Sequence, residues 1–389
     1  MGQIWFDITT AAIFRKDMVG IVRTECEIAK YFANLKEQNI GFCIYHQQQK
    51  MYCHIPNEIA QKVLMRHFTE IDELFDKGTV GFTPDIFFKK GDVYITLGFD
   101  SASKDYERLA QIKQQVEFKI ITFCYDIIPV LLPHLCAVQQ VSGFTRFHAL
   151  SASISDHVFC ISKHTQKDFE ALVAPWVAKM PTTSVVHLGC EIHSASGAEV
   201  TPQVAEICSQ KYILFVSAID RRKNHEVIYR ALTRLADEKK PLPLVAFVGA
   251  KSSGIADLLN DIEHDPRTQG KIQILSGIAD NDLSALYQNA AFTVFPSHYE
   301  GWGLPVAESL AHGKYCLTSN ASSLPEVGGD FVDYLDPYDV AGWAKQIDLL
   351  FNNPELLAQK EAVIRAKYTP PKWENAGKMV YQKAIEWLS

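Results

Sequence analysis

The chain has 389 residues, a length typical of two domains rather than of one hydrophobic core. It is 47% hydrophobic and 21% charged, with a net charge of -7, so it lacks the excess of Lys and Arg that broad nucleic-acid binding requires. No apolar run approaches the ~20 residues that cross a bilayer, and the first residues do not form a basic segment followed by an apolar one, as a signal peptide would.

The cysteines indicate a reducing compartment. The chain has nine of them, none in a C-x-x-C pair, and most lie within apolar runs such as FCIYH and VFCIS. This pattern predicts buried free thiols rather than a zinc site or a disulfide framework. We therefore expect a cytoplasmic protein, and peripheral contact with the inner face of the membrane is left open.

Short apolar strands alternate with amphipathic helices along the first half of the chain, as in parallel α/β sheets. The first strand, QIWFDIT, is followed by a helix that places Ile21, Ile28, Phe32 and Leu35 near one face. Further strands are predicted in the segments IGFCIYH, DVYITLGF, FKIITFCY, DHVFCIS and SVVHLG. This half predicts one α/β domain over residues 1–200.

The alternation restarts in the second half, which predicts another α/β domain over residues 205–370. Its strands are YILFVSA, LPLVAFVG, KIQILSG and AFTVFPS, and a helix begins at His225. Residues 194–204 between the halves are polar and aperiodic and are predicted to be a linker. Two α/β domains facing each other across a cleft are the simplest architecture, with ligands at the carboxyl ends of the strands.

The segment from Ser297 to Glu308 has the pattern of an anion-binding turn. Gly301 and Gly303 follow a predicted strand, and Pro305 suits the start of a helix. Glycines let backbone N–H groups approach an anion, and a helix N-terminus adds roughly half a positive charge. Two carboxylates, at Glu300 and Glu308, suit hydrogen bonds from sugar hydroxyls. The alternative is that both acids only complement the helix dipole, which would not require the two glycines.

These residues carry a resemblance to a known family. The stretch E-G-W-G-L-P-V-A-E resembles the E-x7-E signature of family 4 retaining glycosyltransferases, and the similarity extends over residues 295–329. That family has the GT-B fold, two Rossmann-like domains facing each other across a cleft. The resemblance implies that Glu300 contacts the transferred sugar and Glu308 the nucleotide ribose. The backbone that holds sugar and diphosphate would come from Gly301, Trp302, Gly303 and Leu304.

A second set of charged residues follows the strand YILFV. By itself, the Arg-Arg-Lys run of residues 221–223 is typical of a solvated basic turn. With Asn224 it resembles the family's R-K-N segment, which makes Arg222 and Lys223 the clamp on the diphosphate leaving group. Many family members carry an earlier Arg where Ala218 stands here, and the role of Arg221 is left open.

The base is expected near Ile278, because the family contacts it through the backbone of the residue after a Gly at a strand end. The next residues, Asp280-Asn-Asp282, formally match the metal-binding D-x-D motif of a different glycosyltransferase fold. A helix is predicted to start there at once, so we expect Asp280 or Asp282 to be its N-cap. We predict no metal site.

Two residues of the first half also enter the resemblance. Gly20 lies in a segment, residues 17–23, that resembles the family's loop near the diphosphate and the acceptor. Asp126 matches the acid of a family stretch usually written H-D-L-I-P, with Tyr125 in place of the His. Asp126 either orients the acceptor hydroxyl or caps the following turn. The last segment, residues 371–389, is expected to pack back on the first domain as a helix.

The resemblance implies retaining, metal-independent hexose transfer from a nucleotide-diphosphate sugar co-substrate, with no cofactor. Its form is most similar to bacterial polysaccharide mannosyl and rhamnosyl transferases, so GDP-mannose is the first donor to test. The implied acceptor is a saccharide or a lipid-linked glycan in cell-surface polysaccharide synthesis. Two alternatives remain: a sugar-nucleotide 2-epimerase of the same architecture, or an inactive partner that binds a nucleotide sugar or glycan.

Overall fold

The structure is a computed structural model that describes residues 2–14, 20–47, 49–65, 88–98, 104–136, 138–192, 199–252 and 254–388, without the side chains of 138–140. The chain forms two compact units. Unit 1 comprises Met1–Pro133, Ala137–Gly189 and Lys372–Ser389, and unit 2 comprises His134–Cys136 and Cys190–Pro371. Residues 194–198 of the predicted linker lie outside the described residues, and its last three residues, 202–204, already belong to a helix.

Unit 1 is built on a seven-stranded sheet with the order β3-β2-β1-β4-β5-β6-β7. The strands are β1 (Ile4–Asp7), β2 (Ile40–His46), β3 (Met51–Ile55), β4 (Val93–Thr96), β5 (Lys119–Cys124), β6 (His157–Cys160) and β7 (Thr182–Val185). All pairs are parallel except β2 with β3, which is antiparallel. The edge strand β3 was not predicted, and β7 begins two residues before the segment predicted for it.

The helices of unit 1 are α1 (Thr9–Ile13), α2 (Gly20–Leu35), α3 (Asn57–Leu64), α4 (Tyr106–Val116), α5 (Ile128–Leu131), α6 (Val138–Ile154), α7 (Lys163–Val173) and, from the end of the chain, α16 (Trp373–Ile385). Helix α16 packs on α2. A Cβ at Gly377 would come within 2.5 Å of the Tyr31 ring, so glycine permits this close contact. The Tyr381 hydroxyl donates to Glu37 at 2.6 Å.

Unit 2 is built on a six-stranded, wholly parallel sheet with the order β10-β9-β8-β11-β12-β13. The strands are β8 (Tyr212–Val216), β9 (Leu244–Val248), β10 (Ile272–Leu275), β11 (Phe292–Phe295), β12 (Cys316–Ser319) and β13 (Asp333–Leu335). The helices are α8 (Pro202–Cys208), α9 (His225–Asp237), α10 (Ala256–His264), α11 (Asp280–Asn289), α12 (Leu304–Ala311), α13 (Leu324–Gly328), α14 (Val340–Asn352) and α15 (Pro354–Lys367).

The strand order of each sheet defines where a ligand is expected. In unit 1 the chain adds β2 on one side of β1 and β4 on the other, and in unit 2 it adds β9 on one side of β8 and β11 on the other. Open α/β sheets bind ligands at the carboxyl ends of the strands where the order reverses. The two positions to inspect are therefore β1 with β4, and β8 with β11.

The cysteines agree with the sequence prediction. All nine are free thiols, and seven are buried, whereas Cys136 and Cys208 are half-buried. Among the helices that the structure describes, none has both the length and the apolar character needed to cross a bilayer.

Candidate functional site

A turn of residues 217–224 connects β8 to α9 in unit 2, and two polar side chains shape it. The Asp220 carboxylate accepts a hydrogen bond of 3.0 Å from the backbone N–H of Lys223, a local turn bond that Asp commonly makes. Asn224 adopts the left-handed conformation, with φ 62°, which Asn tolerates better than most residues. The turn therefore places Arg222 and Lys223 at the carboxyl end of β8.

Asn224 also ties this turn to two other strand ends. Its buried side-chain amide donates to the carbonyl oxygens of Pro296, at 3.0 Å, and Pro337, at 2.7 Å. These residues follow β11 and precede α14. The loops after three different strands are thus held together by one side chain.

Serine hydroxyls hold the loop that follows β11. The Ser322 hydroxyl accepts a bond of 2.7 Å from the backbone N–H of Glu300. The buried Ser323 hydroxyl lies 2.9 Å from the carbonyl oxygen of Glu300 and 2.6 Å from that of Trp302. Both serines come from the turn between β12 and α13, so the loop backbone is fixed from a separate segment. No sequence motif predicted a role for them.

The two turns bring three charged side chains together. Arg222 Nη1 lies 2.9 Å from Glu300 Oε2, and Lys223 Nζ lies 2.6 Å from Glu300 Oε1. The Ser297 hydroxyl also donates to Glu300 Oε1, at 2.6 Å. The side chains of Arg222 and Lys223 are 20% and 14% exposed, and that of Glu300 is 9% exposed. We call Arg222, Lys223 and Glu300 the clamp cluster.

The charges of the clamp cluster shift its pKa values. Burial would raise the pKa of Glu300, but Arg222 and Lys223 outweigh it and lower that pKa to about 2. The pKa of Lys223 is also lowered, because burial and the like charge of Arg222 outweigh the attraction of Glu300. Glu300 is therefore an ionised acceptor at neutral pH, and the cluster carries one positive charge in excess.

The glycine turn leads into helix α12. Gly303 has a φ of +129°, which favours glycine. A Cβ there would also come within 2.7 Å of the Leu324 side chain, so space favours glycine as well. Helix α12 begins at Leu304, as Pro305 predicted. Gly301 and Trp302 are buried in this turn. Glu308, one turn into the helix, is 5% exposed and accepts a bond of 2.8 Å from the Tyr287 hydroxyl.

The helix that follows Ile278 is not capped as the sequence predicts. Gly277 adopts a left-handed φ of +69° after β10, and Ile278 packs against the core of unit 2. The predicted Asp cap of the next helix is wrong: the capping residue is Ala279, and α11 begins at Asp280. Asp280 and Asp282 lie in the first turn of α11, where acids complement the helix dipole.

Arg221, whose role the sequence left open, does not join the clamp cluster. Its guanidinium donates to the carbonyl oxygen of Gly254 at 3.0 Å. In the ranges that the structure describes, no group of three or more His, Cys, Asp or Glu side chains is arranged to hold a metal ion.

Gly20 and Asp126 both belong to unit 1. Gly20 begins α2 with a left-handed φ of +55°, and residues 17–19 of its predicted loop lie outside the described part of the chain. Asp126 accepts a bond of 3.0 Å from the backbone N–H of Ile128, at the start of α5. This is a local turn bond to the N–H two residues on, and the helix cap itself is Ile127. The role of Asp126 toward an acceptor stays a prediction.

A second charged cluster, which no sequence motif predicted, lies at the carboxyl ends of β1 and β4. Lys104 Nζ lies 2.7 Å from Asp7 Oδ2 and 3.8 Å from Glu25 Oε2, and all three side chains are 0% exposed. Lys104 also donates to the Thr96 hydroxyl at 2.8 Å. A Cβ at Gly98 would come within 2.7 Å of Lys104 Nζ, so glycine leaves room for the ammonium group. We call Asp7, Glu25 and Lys104 the sealed cluster.

The acids of the sealed cluster have opposite pKa shifts. Burial would raise the pKa of Asp7, but Lys104 and a hydrogen bond of 2.6 Å from the Tyr94 hydroxyl outweigh it and lower that pKa. Glu25 is farther from Lys104, and burial raises its pKa to about 7, although Ala11 N–H donates to it at 2.7 Å. Asp7 is thus the acid that neutralises Lys104.

Comparison with known proteins identifies what the chain resembles. Residues 200–367 match the family model described as Glycosyl transferases group 1. The chain is 35% identical over 150 residues to O-antigen chain mannosyltransferase B of Escherichia coli, covering 37% of this chain and 38% of that protein. It is 23% identical over 296 residues to the serotype-specific mannosyltransferase WbdA of Escherichia coli, covering 75% of this chain and 36% of that protein. The chain thus spans little more than a third of these relatives.

Solved structures show the same fold along the whole chain. A sucrose-phosphate synthase from Thermosynechococcus elongatus matches 99% of each chain with a TM-score of 0.65 at 17% identity. A glycosyltransferase from Rickettsia africae ESF-5 matches 100% of this chain and 99% of its own with a TM-score of 0.62 at 15% identity. The predicted GT-B fold of two Rossmann-like domains and the resemblance to bacterial mannosyltransferases are confirmed. The roles of the individual site residues stay predictions.

Proposed function

We propose that the chain is a retaining, metal-independent glycosyltransferase that moves a hexose from a nucleotide-diphosphate sugar to a saccharide or lipid-linked glycan acceptor. One observation carries the proposal: Arg222 and Lys223, from the turn after β8, converge on Glu300, from the turn after β11. These are the two strands at which the sheet order of unit 2 reverses. The group 1 family match, residues 200–367, covers most of this unit.

The charge of the clamp cluster suits a diphosphate leaving group. Two cations and one acid leave a net positive charge at a partly exposed position. As the bond between sugar and phosphate breaks, negative charge grows on the departing phosphate, and cations fixed at that position stabilise the transition state. In our proposal the departing phosphate takes the proton of the attacking acceptor hydroxyl on the same face of the sugar, which retains the anomeric configuration.

We assign the contact with the transferred sugar to Glu300. Its carboxylate already binds Arg222, Lys223 and Ser297. An ionised carboxylate offers about four acceptor sites, so one site suits a sugar hydroxyl. The low pKa of Glu300, about 2, keeps it an acceptor throughout the neutral range. We assign the ribose contact to Glu308 and the backbone contacts to Gly301 through Leu304.

The relatives suggest the class of donor and acceptor. Two Escherichia coli proteins similar to this chain are described as mannosyltransferases, one of them for the O-antigen chain. We therefore propose cell-surface polysaccharide synthesis as the setting and GDP-mannose as the first donor to test.

The decisive experiment incubates the purified protein with GDP-mannose and a panel of mannose-terminated oligosaccharides and follows the products by NMR. An α-linked product from the α-linked donor is the expected result, and a β-linked product would contradict retention. Conversion of the donor without any acceptor would instead show an epimerase. Binding of GDP-mannose without turnover on any acceptor would show an inactive binding partner.

Metal independence is tested in the same assay. We expect the rate to be unchanged by EDTA, because the proposed charge stabilisation comes from Arg222 and Lys223 alone. A control adds Mn²⁺ after EDTA. Loss of activity with EDTA that Mn²⁺ restores would overturn this part of the proposal and direct attention to Asp280 and Asp282.

A further inference from the structure

Tyr287 is a buried tyrosine of unit 2 whose hydroxyl bonds a residue of the proposed donor site. It lies on α11 and is 0% exposed, and its hydroxyl donates to Glu308 Oε2 at 2.8 Å. Glu308 lies on α12, so the bond joins two helices. A hydrogen bond from a fixed donor restricts how the carboxylate can rotate.

His312, at the end of α12, fixes the ring of Tyr287 in turn. The two rings stack with centroids 5.0 Å apart and an angle of 18° between their planes. His312 Nδ1 lies 2.7 Å from the carbonyl oxygen of Glu308, and because a carbonyl only accepts, this nitrogen carries the proton. Burial lowers the pKa of His312, which favours the neutral ring.

The other nitrogen of His312 completes the connection. In the neutral ring Nε2 accepts, and the Ser284 hydroxyl of α11 lies 3.2 Å from it. Helices α11 and α12 are therefore joined around Glu308 by the tyrosine bond, the ring stack and the histidine bridge. Each of these contacts bears on the orientation of one carboxylate.

From this network we infer that Tyr287 is a positioning residue for nucleotide binding: its hydroxyl holds the Glu308 carboxylate in the orientation that accepts hydroxyl groups of the donor's ribose. The inference rests on the proposed function, because it assumes that Glu308 contacts the nucleotide. Tyr287 itself acts only through Glu308.

The chain offers a matched control for this inference. Tyr212 is also 0% exposed and belongs to the same hydrophobic core cluster as Tyr287. Its hydroxyl donates to the backbone carbonyl of Leu286 at 2.6 Å and not to a site residue. Tyr212→Phe therefore removes a buried hydroxyl of the same unit without touching Glu308.

The test measures GDP binding by calorimetry for the wild type, Tyr287→Phe, Tyr212→Phe and Glu308→Ala. If the wild type binds UDP rather than GDP, UDP is the probe for all four proteins. We expect Tyr287→Phe to bind about tenfold more weakly, since a hydrogen bond to a charged group is lost. Tyr212→Phe should bind like the wild type. In turnover assays the KM for the donor should rise in Tyr287→Phe while kcat changes little.

The outcomes separate this inference from the proposed function. Undiminished binding by Glu308→Ala would refute the proposed ribose contact. Weak binding by Glu308→Ala with undiminished binding by Tyr287→Phe would overturn only the positioning role. Equal weakening by Tyr287→Phe and Tyr212→Phe would also overturn it, because a general loss of packing would then suffice. Should Tyr287→Phe not fold, His312→Gln removes the ring stack and is expected to weaken binding to a smaller degree.

Discussion

The clamp cluster and the sealed cluster occupy equivalent positions in the two units and have opposite compositions. The clamp cluster lies where β8 meets β11, contains two cations and one acid, and is partly exposed. The sealed cluster lies where β1 meets β4, contains two acids and one cation, and has no exposed side chain. Charged residues at the reversal of strand order therefore do not by themselves identify a binding site.

The difference lies in which charge is in excess and whether solvent reaches it. An excess cation that a ligand can approach attracts an anion such as a diphosphate. An excess acid inside the protein has no such partner and takes up a proton instead, as the raised pKa of Glu25, about 7, indicates. We therefore expect mutations of the clamp cluster to change catalysis and mutations of the sealed cluster to change stability.

The largest effect is expected from Lys104→Met. The substitution leaves Asp7 and Glu25 buried without their cation, and breaking a buried ion pair in this way typically costs about 3–5 kcal/mol. Urea unfolding of Lys104→Met and of the wild type measures this loss in the free energy of unfolding. As a control, Lys90→Met removes a cation from the exposed pair with Glu117 and should leave stability unchanged. If the two variants were equally stable, the sealed cluster would not be structural.

Mutations of the clamp cluster should reduce catalysis and not stability. We expect Arg222→Ala or Lys223→Ala to lower turnover by about 10²–10³-fold, comparable to the loss of one transition-state donor. Arg221→Ala is the matched control, because the neighbouring guanidinium bonds Gly254 instead of Glu300. Initial rates with saturating donor measure the effect. Near-normal rates in Arg222→Ala and Lys223→Ala would remove the clamp cluster from the mechanism.

The smallest effect concerns pH and Glu25. Because the folded-state pKa of Glu25, about 7, is above its unfolded value, the folded state binds the extra proton, and stability falls as pH rises through that pKa. Gln at position 25 cannot ionise. The free energy of unfolding of Glu25→Gln should therefore rise relative to that of the wild type by on the order of 2 kcal/mol between pH 5 and pH 8. Urea unfolding at several pH values tests this. A constant difference between the two proteins would show that Glu25 does not titrate in this range.

The sequence was sufficient for most of the fold because the buried parallel strands are continuous apolar runs. Strands β1, β5 and β8 lie inside the segments predicted for them. Three strands were not predicted: β3 contains His54 and pairs antiparallel, β12 has four residues with two hydroxyl side chains, and β13 has only three residues. Runs of three to five residues are too short to give a clear periodic signal.

The site could be predicted only where its residues are contiguous. Glu300 and Glu308 share one segment, and Arg222 and Lys223 share another, so a motif contains each pair. Asn224 belongs to a sequence motif, but its partner Pro337 is 113 residues away. The partners of Ser322, Ser323 and Tyr287 are likewise distant in sequence, and only the fold brings them together.

The position of helix α16 limits how such a protein could exchange segments with a relative by recombination. The last residues of the chain fold with the first ones, on α2, while the family match covers the stretch in between. A recombination event with one crossover would therefore combine an α2 from one parent with an α16 from the other, so the close fit of Gly377 against Tyr31 would join residues of two different parents. If residues 190–371 bind the donor as proposed, exchange of donor specificity between two parents requires two crossovers, one on each side of that range.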